Sequence, residues 1–297
     1  MTEQKFKGVI ISPLTPFTPE GQLDENALAN LIEFHIGKGV GGFLALATAG
    51  QGPLISIEER KRIAEIILNK SRGRKPVMVQ VGALTTRDTV ELAKHACALG
   101  ADAIATLPPI YLRLDFAAYE QHFAAVSAAI APVPLFIYNN PWAQGRALTV
   151  EELVSLNDKD IIKGVIDSSR DLASVYKLMR YQDRLTCIIA DTKLSMPGLL
   201  FGCPALGSAI GNAIPEIFIE MVNAIRANDI AKAVVIELEL FRISESLRSP
   251  ECGGLHEALA ARGLPCGVPR LPVRTPNEEE KVVIRKAMKE YSAKYPL

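Results

Sequence analysis

The sequence has no surplus of either charge: lysine and arginine total 33, and aspartate and glutamate total 33. A chain that held nucleic acid mainly by neutralising phosphates would be basic. A polybasic membrane anchor would need the same excess. Neither a nucleic-acid nor a membrane partner is expected. Cysteine is scarce and scattered, with five residues (Cys97, Cys187, Cys203, Cys252, Cys266) and no C-x-x-C spacing. That argues against a disulfide framework or a zinc site and predicts reduced, mostly buried thiols in a cytoplasmic protein. Long apolar runs are missing too. The most apolar stretch, residues 123–138, is broken by Ser127, Pro132 and Pro134, too short and punctuated for a bilayer span. Residues 1–7 lead into only a short apolar run, 9–11, so no signal peptide is expected. No HExxH, Walker loop, EF-hand or GxSxG occurs, and no GxGxxG follows the first strand. The four histidines (His35, His95, His122, His256) fall in predicted helices, away from strand ends. No metal and no cofactor is expected.

What is present is an alternation. Hydrophobic residues make up 48% of the 297 positions, ample for a large core. Short apolar runs predict strands at 8–12, 43–46, 77–81, 103–106, 135–138, 162–166, 186–190 and 206–210. A helical pattern follows each. The first is capped by Asp24, buries Leu28, Leu31, Ile32 and Ile36, and stops at Gly37 and Gly39. The second opens on Ser56-Ile57-Glu58-Glu59, the spacing of a reciprocal capping box. Later helices are expected at 86–99, 116–129, 150–156, 172–181, 194–200 and 215–227. Strands apolar throughout suit a parallel sheet covered on both faces. Eight such units fit a closed (β/α)8 TIM barrel over residues 1–227 better than an open doubly wound sheet. Residues 228–297 read as a C-terminal helical extension of three helices (229–247, 251–262, 277–293), with a Gly/Pro-rich link at 263–276 before the last.

In such a barrel the chemistry sits just after the strands. The segments there are Ala47-Thr48-Ala49-Gly50-Gln51, Leu107-Pro108-Pro109-Ile110-Tyr111, Tyr138-Asn139-Asn140-Pro141, Gly164-Val165-Ile166-Asp167-Ser168-Ser169, Asp191-Thr192-Lys193 and Gly207-Ser208. With the opening Gly8-Val9-Ile10-Ile11-Ser12-Pro13, the Ser56-Ile57-Glu58-Glu59-Arg60 helix start and the tail from Leu247-Arg248-Ser249-Pro250 to Arg270-Leu271-Pro272, the chain resembles the dihydrodipicolinate synthase / N-acetylneuraminate lyase family of class I aldolases. The resemblance covers nearly the whole chain. It implies a dimer, or a dimer of dimers, acting on a 2-oxo acid or a related sugar acid.

The resemblance also marks departures. Family members hold the oxo acid as a Schiff base on a strand-6 lysine in Gly-(Ile/Val)-Lys-(Glu/Asp)-x-Ser, and Ile166 occupies that position here. An isoleucine forms no imine, so the electron sink that stabilises a carbanion is missing. The Gly-Thr-Thr-Gly-Glu loop reads Ala47-Thr48-Ala49-Gly50-Gln51. Its backbone N–H groups at Ala49 and Gly50 can still receive a carboxylate, without the second threonine hydroxyl. Where dihydrodipicolinate synthases carry an arginine after Tyr-Asn-x-Pro, this chain has Ala143, with Arg146 shifted and Trp142 free to wall the pocket or simply to pack. Authentic dihydrodipicolinate synthase activity is therefore not expected.

Other features match the family. Tyr138 stands at the general acid/base tyrosine, Thr48 at the linking threonine, and Tyr111 at the tyrosine that family members insert from the neighbouring subunit. The strand-7 segment that in the lyase branch offers an acid to sugar hydroxyls is Asp191-Thr192-Lys193 here, with Lys193 in place of an acidic or small residue, and Gly207 lines the strand-8 end. Lys193 supplies a relocated amine, pairs with an anionic ligand, or is merely solvated. Asp167, Ser168 and Ser169 either contact a ligand or cap the next helix. Two functions stay open: a lyase/aldolase-type enzyme lacking the usual lysine, or a pseudoenzyme that binds a carboxylated metabolite or an active paralogue.

Overall fold

The computed structural model describes residues 5–247 and 252–297. Eight strands, β1 (Gly8–Ile11), β2 (Gly42–Ala45), β3 (Val77–Gln80), β4 (Ala103–Thr106), β5 (Leu135–Asn139), β6 (Gly164–Asp167), β7 (Thr186–Ile189) and β8 (Ala205–Ser208), pair in parallel and in chain order. β8 returns to β1 with Gly8 opposite Ala205 and Ile11 opposite Ser208, which closes the barrel. The fold is a TIM barrel, as the alternation of apolar strands and helical patterns predicts.

The helices are α1 (Glu25–Gly37), α2 (Ile57–Ser71), α3 (Thr86–Ala98), α4 (Phe116–Ile130), α5 (Pro141–Gln144), α6 (Val150–Asp158), α7 (Leu172–Leu178), α8 (Ser195–Leu200), α9 (Pro215–Arg226), α10 (Ile230–Leu247), α11 (Gly253–Ala261) and α12 (Glu278–Lys294). Among the described residues, no helix is long and apolar enough to cross a membrane. Alternate strand residues feed two apolar layers. Ile10, Leu44, Met78, Phe136, Tyr138, Ile166 and Ile188 meet inside the barrel. Val9, Phe43, Val79, Ile137, Val165 and Leu206 face outward to the helices. Leu240, Leu255 and Met288 of the last three helices join that outer cluster, so the tail packs as part of the barrel's coat.

Several local expectations are corrected. Asp24 caps α1 through Ala27 N–H at 2.9 Å, as its position implies. At α2, only half of the expected box forms: Ser56 accepts from Glu59 N–H at 3.3 Å, while the Glu59 carboxylate forks onto Arg270 at 2.8 and 3.0 Å. A two-point bond to a guanidinium outweighs one neutral backbone donor. The helix after β6 is shorter than the pattern predicts, ending at Leu178 and passing into a 3-10 turn at Met179–Tyr181. One-turn α5 was not foreseen: Pro141 supplies a preset φ at its first position and Gly145, at φ 82°, stops it. The expected start of the tail's second helix at Glu251 lies outside the described residues; α11 is described from Gly253.

Candidate active site

The strand ends open into a cavity of about 240 Å³ at the C-terminal face. Thr48 and Ala49 after β2, Tyr138 and Asn140 at β5, Ser168 and Arg170 after β6, Asp191 after β7 and Gly207 at β8 line it. Leu247 of α10, with Cys252 and Leu255 at α11, closes one side. Among the described residues, no lysine lines the cavity.

The 47–52 loop is held tightly. A Cβ at Gly52 would lie 1.8 Å from the Leu46 carbonyl oxygen, so only glycine fits there. Gln51 bonds both ways with the Arg270 backbone, its Nε2 donating at 2.6 Å and its Oε1 accepting at 3.0 Å. This departure from the family's glutamate thus anchors the 263–276 link and does not reach the cavity. The N–H groups of Ala49, which lines the cavity, and of Gly50 next to it in the chain donate to no group among the described residues.

Tyr138 and Thr48 come together: their hydroxyls are 3.3 Å apart, and Asn140 Nδ2 approaches the Tyr138 oxygen at 3.5 Å. Tyr111 does not join them within one chain. It is 85% exposed and borders a separate groove with Leu84, Leu112 and His122. Ile166 is 1% exposed, pairs in register with Tyr138, and packs among the barrel's inner apolar side chains.

Lys193 is exposed, and its side chain does not line the cavity. The segment after β7 turns as a 3-10 helix, Thr192–Leu194, which uses the Lys193 backbone N–H against Asp191 at 2.8 Å. Asp191 is buried but already engaged, with Oδ1 on that N–H and Oδ2 on Arg170 Nε at 2.9 Å. Arg146 forks onto Glu152 at 2.8 and 3.0 Å and stays out of the cavity.

Arg170 is the residue that sequence reasoning missed. It lines the cavity, with its guanidinium carbon 4.5 Å from the centre of the Trp142 ring. Trp142 thus walls the pocket, and it does so through Arg170. The segment 167–171 divides its labour. Ser168 faces the cavity and donates to the Ala190 carbonyl at 2.8 Å, and Asp171, not Asp167 or the serines, caps α7.

Asp167 points away from the cavity, accepting from Ser169 Oγ at 2.8 Å and Asn139 Nδ2 at 3.3 Å. Burial pushes its carboxyl up from 3.8 to about 6, against the pull of those donors. A folded value above the unfolded one stabilises the fold at low pH, and that contribution disappears as pH rises through 6. Asp167→Asn has no such proton to lose. Relative to wild type, the variant is expected to gain about 2 kcal/mol of stability between pH 4 and pH 7.5. Urea unfolding at both pH values measures it, and a gap that does not change with pH contradicts it.

An uncharacterized DapA-like lyase of Halobacterium salinarum is 31% identical over 278 residues, covering 93% of this chain and 91% of that protein. Among solved structures, a catalytic lysine mutant of the sialic acid aldolase of Ruminococcus gnavus superposes with a TM-score of 0.93 at 26% identity, covering 99% of this chain and 98% of that one. A prophage protein of the dihydrodipicolinic acid synthase family from E. coli K12, in complex with pyruvate, superposes at 0.91 with 29% identity, covering 97% and 99%. The family model matches residues 5–291, from before β1 to within the last helix, and the chain belongs to the dihydrodipicolinate synthetase family.

Proposed function

We propose that this member of a lyase/aldolase family is itself a lyase acting on a 2-oxo acid or a sugar-acid-derived substrate, without the imine that its relatives form. The observation that carries the reading is the Tyr138–Thr48 hydroxyl pair at 3.3 Å beside a cavity that no lysine among the described residues lines. The Ala49 and Gly50 N–H groups receive the substrate carboxylate, as two aligned backbone donors do for oxyanions. Tyr138 exchanges a proton with the reacting carbon or its oxygen, and Thr48 holds and relays it. The exposed Tyr111 completes the chain from a second copy, which makes the working unit a dimer or a dimer of dimers in the cytoplasm. Dihydrodipicolinate synthesis is not the reaction proposed: Ala143 stands where that branch carries its arginine, and Arg146 is committed to Glu152.

A second reading is favoured by the depth of Ile166, which sits in an apolar layer where the resemblance puts the imine lysine. On that reading the cavity only binds a carboxylated metabolite, or the chain assembles with an active paralogue.

The test is turnover across a panel of 2-oxo acids and sugar acids, with borohydride added in parallel and the intact mass and peptide map read. Turnover without a reduced adduct supports the lysine-independent lyase. An adduct on any lysine overturns that route. Binding throughout the panel without turnover supports the second reading.

A further inference from the structure

We infer that Arg170 is a ligand-binding residue, and that the ligand it takes carries a second carboxylate beyond the one received at Ala49 and Gly50: a dicarboxylic 2-oxo acid. This deepens the proposed function and rests on it. Among the described residues, five non-glycine residues adopt a left-handed backbone (Leu46, Gln51, Asp160, Arg170, Asn228), and of these Arg170 alone lines the cavity, at φ 62°. A long β-substituted side chain is rarely found in that conformation, and such strain persists where the surroundings enforce it and a function uses it.

Two contacts then fix the guanidinium. Asp191 Oδ2 takes its Nε at 2.9 Å, and the Trp142 ring covers one face at 4.5 Å. Its two terminal nitrogens donate to no group among the described residues. The result is a planar pair of parallel N–H donors held in place before any ligand arrives, the geometry that receives a carboxylate at two points. Among the described residues, Arg170 and Asp191 are the charged side chains of the lining. Both Asp191 oxygens are spent, on Arg170 and on the Lys193 N–H. The donors left facing the cavity are therefore the two terminal nitrogens of Arg170. A ligand with one carboxylate satisfies the backbone donors and leaves the fork empty; a dicarboxylate satisfies both.

The experiment compares chain-matched acids by calorimetry: 2-oxoglutarate against 2-oxovalerate, and 2-oxoadipate against 2-oxohexanoate. Wild type is expected to prefer the dicarboxylate by about thirtyfold at one of these lengths, the scale of a two-point charged hydrogen bond. In Arg170→Gly, which the left-handed backbone accommodates, the preference is expected to fall below threefold, with circular dichroism confirming the fold. Arg170→Lys, which keeps the charge and loses the fork, falls between them. A preference absent from wild type at both lengths, or surviving Arg170→Gly, overturns the inference while leaving the proposed function standing. Wild type that binds no acid of either series overturns the inference, together with the 2-oxo-acid half of the proposed function.

Discussion

Tyr138→Phe is expected to reduce turnover of the substrate identified by the panel about a thousandfold, within the range for a lost general acid/base group. The substitution removes one oxygen from a ring packed among Phe136, Ile166 and Ile188, so the barrel interior keeps its shape. The lost atom is the partner of Thr48 at 3.3 Å and of Asn140 at 3.5 Å, both part of the cavity wall and solvated once unpaired. Stability should therefore change little, and the loss should appear in kcat more than in KM, since a proton-transfer group acts mainly in the transition state. Thr48→Val, which breaks the relay one link away, should lose less than Tyr138→Phe. Steady-state kinetics on both variants checks this. An unchanged kcat in Tyr138→Phe removes the tyrosine from the mechanism and shifts weight to a binding role.

Arg262→Ala is expected to destabilise the fold by about 3–5 kcal/mol, the usual penalty for stripping one partner from a buried ion pair. Its side chain is 0% exposed. It forks onto Glu216 at 2.9 and 3.1 Å and donates to the carbonyls of Ala213 at 2.6 Å and Tyr295 at 3.1 Å. These bonds tie α11 to the start of α9 and to the end of α12. Without the guanidinium, two carbonyls lose this donor, and Glu216 is left with partners that include Lys38 at 2.9 Å and the Tyr291 hydroxyl at 2.9 Å. For a chain of this size the melting temperature should fall by about 5–8 °C. Differential scanning calorimetry reads it. A drop of under two degrees would mean that the tail's apolar packing alone holds it.

The barrel was legible because its evidence repeats. Eight apolar runs, each followed by a helical pattern, agree on one parallel closed sheet even where single boundaries slip by a residue or two. The hydroxyl pair was legible for another reason: Thr48 and Tyr138 stand directly after β2 and at the end of β5, and strand ends have a fixed place in this architecture. Lys193 shows where that logic stops. It lies four residues beyond β7, and the direction a side chain takes after a 3-10 turn depends on dihedrals that no residue pattern specifies. Arg170 was missed for a related reason. Its backbone is left-handed, a state that sequence signals only through glycine, asparagine or aspartate. The half-formed box at Ser56 failed because Glu59's better partner, Arg270, is 211 positions away.

The pairing of β8 with β1 also bears on the order of events at the ribosome. Gly8–Ile11 carries an open hydrogen-bonding edge until Ala205–Ser208 has been made. At roughly 5–20 residues per second, that wait lasts about 10–40 s. For that interval the first strand of a nascent chain is free to pair with whatever strand comes near, including the corresponding strand of a neighbouring nascent copy. Aggregation yield should thus depend on how fast the chain is synthesised as well as on how stable the finished barrel is. Slower initiation, which spaces ribosomes further apart on the message, would protect this protein more than slower elongation, which lengthens the exposure.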